Sequence, residues 1–270
     1  MAIGAVKSPQ RFHIRLEERP RGVVAYATID NPRNLNAVNS GLMDEFIAGM
    51  GALAGNDNLR AVVLSGAGPK AFIGGADINE MAAIKSGAEA KAFIARLHGC
   101  CDAIRRFPVP VIARIHGYAF GAGLEIAASC DVRIACDTAQ FGMPEVKLGI
   151  PSVIEAALLP MLVGWGRARE IMLLGETFSA AEALAWRLVE HVVPPARLDE
   201  TIEAWIGKLL TSAPRAVRLQ KRLMRQWEDL PLAEAIAAGI GAFAAAYETD
   251  EPGGAMREFL ATRRARKSSA

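Results

Sequence analysis

Residues 111–135 read VIARIHGYAFGAGLEIAASCDVRIA. Val111–Ile115 is a short apolar run bounded by Pro110 and Gly117, which reads as a buried strand. Gly117 to Gly123 is a glycine-rich loop, Leu124–Ser129 a helical turn, and Asp131–Ala135 a second strand. Strand, glycine loop, helix and strand in succession place the chain in the α/β class. Such a loop also suits a ligand. Glycine lets backbone N–H groups come close, and a helix N-terminus adds the positive end of a dipole. A dinucleotide fingerprint fails here because Ile126 stands where the third glycine belongs, and neither a G-K-[ST] phosphate loop nor a G-x-S-x-G elbow is present.

The pattern extends in both directions. Arg11–Glu18 alternates apolar and polar residues, Arg19–Gly22 is a turn, and Val23–Ile29 is apolar, so the pair reads as a hairpin. Asn31-Pro32 ends it. Leu42 to Leu53 is helical, with Leu42, Phe46, Met50 and Leu53 on one face. Ala61–Ser65 is a buried strand, and Gly66 to Gly75 reads as a glycine-rich loop. Ala88 to Phe107 is helical, with Phe93, Leu97, Cys101 and Ile104 aligned. After Pro144 the chain turns mostly helical. Ser179–Glu182 is a capping box, Pro194-Pro195 a boundary, and helices are expected over 198–210, 214–227, 231–247 and 254–265. This divides the chain into an α/β core, 1–197, and a helical C-terminal region, 198–270, of the kind that joins subunits.

Composition narrows the function. The 270 residues are 51% hydrophobic and 22% charged, with 31 Lys and Arg against 29 Asp and Glu. A net charge of +2 gives no field for nucleic acid, so no such partner is expected. The uncharged stretch Ala235–Tyr247 falls short of the roughly 18–20 residues of a membrane helix. The N-terminal MAIGAVKSPQ lacks an apolar signal core, and the basic run Arg263–Lys267 reads as solvated, so a cytoplasmic location is expected. Cys100, Cys101, Cys130 and Cys136 form no C-x-x-C pair and read as reduced, buried thiols. The scattered His13, His98, His116 and His191 read as structural, and no metal site is expected.

Three segments carry candidate chemistry. In Phe72-Ile73-Gly74-Gly75-Ala76-Asp77-Ile78 a strand runs into a glycine pair, which leads to Asp77, a residue suited to cap a helix. In the second, Glu125 stands in an otherwise apolar helical turn, where a carboxylate is costly unless used or paired. In the third, Gln140 to Pro151, Glu145 follows Pro144, 20 residues beyond Glu125. Two carboxylates on loops leaving adjacent strands can share a cleft, one acting as acid and the other as base.

Together with Asn31-Pro32-Arg33-Asn34-Leu35-Asn36-Ala37, these segments resemble the crotonase (enoyl-CoA hydratase/isomerase) superfamily in order and spacing. The resemblance covers roughly 10–200 and extends to a closing helix near Glu251–Arg266. It implies a spiral of ββα units followed by helices that form trimers, often paired into hexamers. It also implies an acyl-CoA thioester as substrate, with no cofactor beyond the coenzyme A of the substrate itself. By motif, Ala76 and Ala122 would offer the two oxyanion-hole N–H groups, and Glu125 and Glu145 would handle the water and the protons. Arg33, Leu35, Ala37, Gly74, Asp77 and Ile78 match the positions that hold coenzyme A. With both glutamates present, the resemblance implies an enoyl-CoA hydratase of fatty acid β-oxidation type. Isomerisation of a double bond or cleavage of a C–C bond is the alternative.

Two departures stand out. Ala122 occupies a position that is usually glycine in the family, which is harmless only if its φ is negative. The turn Gly149-Ile150-Pro151-Ser152-Val153-Ile154-Glu155-Ala156-Ala157 is one residue shorter than the family pattern and lacks its trailing glycines. Ser152 falls near a water-placing glycine of the family, and Glu155 adds a third acid, read as a helix-first-turn residue favoured by the dipole.

Overall fold

In the computed structural model, residues 11–268 are described, with side chains from 11 to 264. The MAIGAVKSPQ segment and the end of the basic run lie outside those limits. The expected hairpin is β1 (Arg11–Arg19) against β2 (Gly22–Asp30), in antiparallel register from Arg11 opposite Asp30 to Arg19 opposite Gly22. Helix α1 (Ser40–Ala54) follows, capped by the Asn39 side chain on the Leu42 N–H, and buries Leu42, Phe46, Met50 and Leu53 as the period requires.

From there the chain climbs as a spiral. Each turn gives one strand to a large sheet, a short strand to a small one, and then helix. The first turn is β3 (Leu59–Gly66), β4 (Ala71–Ile73), α2 (Ile78–Ala82) and α3 (Gly87–Arg105). The second is β5 (Val111–Ile115), β6 (Tyr118–Phe120) and α4 (Ala122–Ser129). The third is β7 (Val132–Cys136), β8 (Gln140–Gly142), two 3-10 turns at Pro144–Leu148 and Ile154–Leu158, and α5 (Leu159–Leu174). Strand β9 (Thr177–Ser179), α6 (Ala180–Ala185) and β10 (His191–Val193) close it. The large sheet runs β1-β2-β3-β5-β7-β10 and is parallel from β2 onward; the small one runs β4-β6-β8-β9. The three-residue strand β4 is the strand expected at Phe72-Ile73 before the glycine pair, at the end of the 66–75 loop, whereas β6 corrects the reading of 117–123 as a loop throughout. A strand so short has no periodicity to read.

In the middle of the large sheet, at β3, β5 and β7, both faces are largely buried, and the pleat sorts the residues. On one face Ala25, Ala27, Val62, Leu64, Val111 and Ala113 join the main core with α1 and α3. On the other, Val24, Val63, Ile112 and Ile134 meet Leu198, Ile202 and Ile206 of α7 (Leu198–Thr211). This is why β2, β3, β5 and β7 read as continuous apolar runs, while β1 at the margin alternates. Helices α8 (Pro214–Trp227), α9 (Leu232–Ala246) and α10 (Glu251–Ser268) complete the chain. Buried cations latch this arm to the core. Arg60 donates to the Leu209 and Ser212 carbonyls at 2.9 and 2.6 Å, and Lys221 meets Asp131 at 2.6 Å. All four cysteines are buried free thiols. Burial pushes Cys100 and Cys130 up to about 12, which leaves them unreactive.

Candidate active site

The second spiral turn delivers the first carboxylate. Gly121 precedes α4 with φ +51, and its N–H donates to the Gly142 carbonyl of β8 at 2.9 Å. That φ favours glycine, and a Cβ there would also run into the Glu145 carboxylate. Gly123 lets α4 seat directly on β4, since a Cβ would fall on the Ile73 carbonyl. Ala122, the first residue of α4, is absent from the positive-φ residues, so its Cβ costs nothing. At the first position of a helix its N–H has no intrahelical partner.

Glu125, one turn into α4, is 4% exposed. Its Oε1 accepts the Ala156 N–H at 3.1 Å, a donor shared with the Val153 carbonyl at 3.0 Å. No salt bridge reaches it among the described residues. Burial pushes its carboxyl up to about 8; the Ala156 N–H opposes this, and the charges of Glu145 and Glu155 add to it. Glu145 lies on the 3-10 turn after Pro144, half-buried, with its Oε2 accepting the Ser152 hydroxyl at 3.0 Å. Burial raises this carboxyl too, while its own N–H and Ser152 pull it back.

Both glutamates line one cavity of about 480 Å³. Ala76, Ala122, Gly74 and Ile78 line it as well, and its apolar wall comes from Met81, Ile84, Phe93, Ile94 and Leu97. Ala76 reaches it through a parallel bridge to Val38, which uses the Gly75 carbonyl and the Asp77 N–H and leaves the Ala76 N–H out. Leu35, Ala37, Arg33 and Asp77 stand behind this wall rather than in it. The Leu35 carbonyl accepts the Gly74 N–H at 2.8 Å, and Ala37 is buried. Asp77 caps α2 through the Asn79 and Glu80 N–H groups and accepts the Asn34 amide at 3.1 Å. Arg33 is exposed on the same loop.

The family model for enoyl-CoA hydratase/isomerase matches residues 19–267. This chain belongs to that family. It is 36% identical to a short-chain-enoyl-CoA hydratase of Clostridium acetobutylicum over 90% of this chain and 93% of that one. It is 33% identical to a crotonyl-CoA hydratase of Syntrophomonas wolfei over 94% and 96% of the two chains. The crystal structure of an enoyl-CoA hydratase from Mycobacterium smegmatis superposes with a TM-score of 0.87 at 31% identity, covering 92% of this chain and 96% of that one.

Within this crotonase-family fold, the turn that departs from the family pattern is the part the sequence read least well. Glu155 does stand in the first turn of the Ile154–Leu158 3-10 helix, as its position in the sequence implies, but it is buried and paired there. It is 3% exposed, with His98 Nδ1 at 2.9 Å and the Arg105 guanidinium at 3.5 Å. His98 therefore holds a partner across the fold. The Ala156 donor left no trace in the sequence, because a backbone N–H belongs to every residue but proline. Among the described residues, no group of three or more His, Cys, Asp or Glu side chains could hold a metal ion, and no helix is long and apolar enough to cross a membrane.

Proposed function

We propose that this chain is an enoyl-CoA hydratase that adds water reversibly across a 2-enoyl-CoA to give a 3-hydroxyacyl-CoA. The observation that carries the reading is the pair of carboxylates, buried Glu125 and half-buried Glu145, on the wall of one apolar cavity that two glycine-loop backbones also reach. The names of the relatives support the same class of reaction.

The chemistry follows from where charge develops. Attack of water on the substrate's β-carbon moves electron density to the thioester oxygen. The N–H groups of Ala76 and Ala122 are the donors for that oxygen. Each is worth ~3–4 kcal/mol of transition-state stabilisation, and the one at the α4 N-terminus is helped by the helix dipole. Glu125 takes the proton from water as the C–O bond forms. Glu145 delivers a proton to the α-carbon as the enolate collapses. General acid–base help of this kind is worth ~10²–10⁴-fold per group. Burial suits both roles, since a raised carboxyl is the stronger base and keeps its proton longer as an acid.

Coenzyme A lies along the loop 33–37 and the segment 74–78, with Arg33 free to meet a phosphate. The reaction needs no cofactor. Subunits meet through α9 and α10, where Leu232, Ile236, Ile240, Phe243, Phe259 and Leu260 stand exposed, as a trimer or a pair of trimers in the cytoplasm. Isomerisation or C–C cleavage is the second reading, favoured only by the altered 149–157 turn.

The test mixes the purified protein with crotonyl-CoA and follows loss of the conjugated enoyl-thioester absorbance, with the Glu125→Gln/Glu145→Gln double variant as control. Loss in the wild type alone, with a product heavier by one water, supports hydration. A product of unchanged mass means isomerisation and overturns the reading.

A further inference from the structure

Glu155 has no contact with the cavity, yet it is among the most deeply buried charged groups of the chain. A carboxylate in such a place is costly unless it is paired. Its partners stand on α3. His98 Nδ1 lies 2.9 and 3.2 Å from its two oxygens, and Arg105 lies 3.5 Å away while also meeting Glu228 at 2.8 Å. The next residue in the chain, Ala156, is the one whose N–H holds Glu125. The residue before it, Ile154, has φ +42, a conformation a β-branched side chain rarely takes. Something must hold that backbone in place, and the one buried ionic contact of the turn lies on its neighbour.

We propose that Glu155 is a positioning residue: paired with His98 and Arg105, it ties the Ile154–Leu158 turn to α3 and keeps the Ala156 N–H on Glu125. The inference rests on the hydratase reading and deepens it. The charged or titratable groups that face Glu155 are His98, Cys101 and Arg105 from α3, Glu125 from α4, and Glu228 beyond α8 through Arg105.

Glu155 acts on Glu125 in two opposed ways. Its charge keeps the Glu125 proton on; the hydrogen bond it helps to place takes the proton off, and the hydrogen bond is the larger effect. The Glu155→Gln variant separates them. If Glu155 contributes charge alone, the limb of the pH–rate profile that reports Glu125 moves to lower pH. If it anchors the turn, Glu125 loses its donor and the limb moves to higher pH.

The experiment measures kcat and KM for crotonyl-CoA across about pH 5 to 10 in wild type, Glu155→Gln and His98→Asn, because the limbs report the essential acid and base. The expected result for Glu155→Gln is a loss of about tenfold or more in kcat, KM within about threefold of wild type, and the Glu125 limb at higher pH. His98→Asn shifts the limb the same way by less. An unchanged kcat, or a limb that stays or moves down, overturns the proposal. If Glu155→Gln does not fold by circular dichroism, the half-exposed His98 decides: a His98→Asn enzyme with wild-type rate and profile overturns it. The Glu125 carboxyl titration, read by ¹³C NMR and assigned with Glu125→Gln, gives the same answer without turnover. There an upward shift in the variant supports the anchor and any other result overturns it. A wild-type chain that hydrates no 2-enoyl-CoA counts against the hydratase reading alone.

Discussion

Glu125 is a carboxylate placed where folding works against its charge. Between about 4.5, its ordinary value, and about 8, its value in the folded chain, the unfolded chain has released this proton and the folded chain keeps it. The folded state then binds more protons, so its stability falls as pH rises through that window. Glu125→Gln removes this penalty. Its melting temperature relative to wild type is expected to climb from pH 5 to pH 8, as thermal melts at the two pH values would read; a constant difference rejects the raised carboxyl. Ser152→Ala takes the hydroxyl from Glu145 and pushes that carboxyl higher still. The limb of the hydration profile that reports Glu145 should then move up, with a loss of a few-fold, about 2–10, in kcat. The residue scale is also where the sequence spoke least evenly. Glu125 was legible because a charge in an apolar run has to be accounted for. The surroundings of Glu155 were not, because they depend on α3 and a 3-10 turn more than 50 positions away meeting in space.

At the scale of elements, the amphipathic helices and the apolar strands of five residues or more were readable, and most of the three-residue strands were not. The faces of α1 and α3 follow from their periodicity, and the Ser179–Glu182 capping box sits on α6 with both of its hydrogen bonds. Strands β4, β6, β8, β9 and β10 have three residues each and owe their existence to neighbours supplied by other turns of the spiral. The start of α4 offers a clean test of the proposed oxyanion donors. Proline is well tolerated at a first helical position and has no N–H. Gly121, at φ +51 and ψ −119, has the mirror image of the extended conformation that a residue before proline prefers, and without a Cβ it meets no added clash. Ala122→Pro should therefore keep the fold while losing ~10²–10³-fold in kcat. Circular dichroism and crotonyl-CoA kinetics on one preparation check both halves, and near-wild-type turnover rejects the donor.

For the whole molecule, the exposed apolar face of α9 dominates. Leu232, Ile236, Ile240 and Phe243 fall at helical spacing, each more than 60% exposed. Ile240→Glu/Phe243→Glu should leave the α/β core folded and bring the solution mass, by light scattering, down to the 28.8 kDa of one chain. An unchanged larger mass would mean that copies meet elsewhere. The order of the large sheet bears on the same question. One margin is β1, whose nine residues include Arg11, Arg15, Glu17, Glu18 and Arg19; the other is β10, only three residues long. A charged margin and a stunted one are poor templates for another chain's backbone. Such margins keep the large sheet from extending into another copy's backbone, so any contact the helix face makes is left to side chains, where it can be specific and can stop.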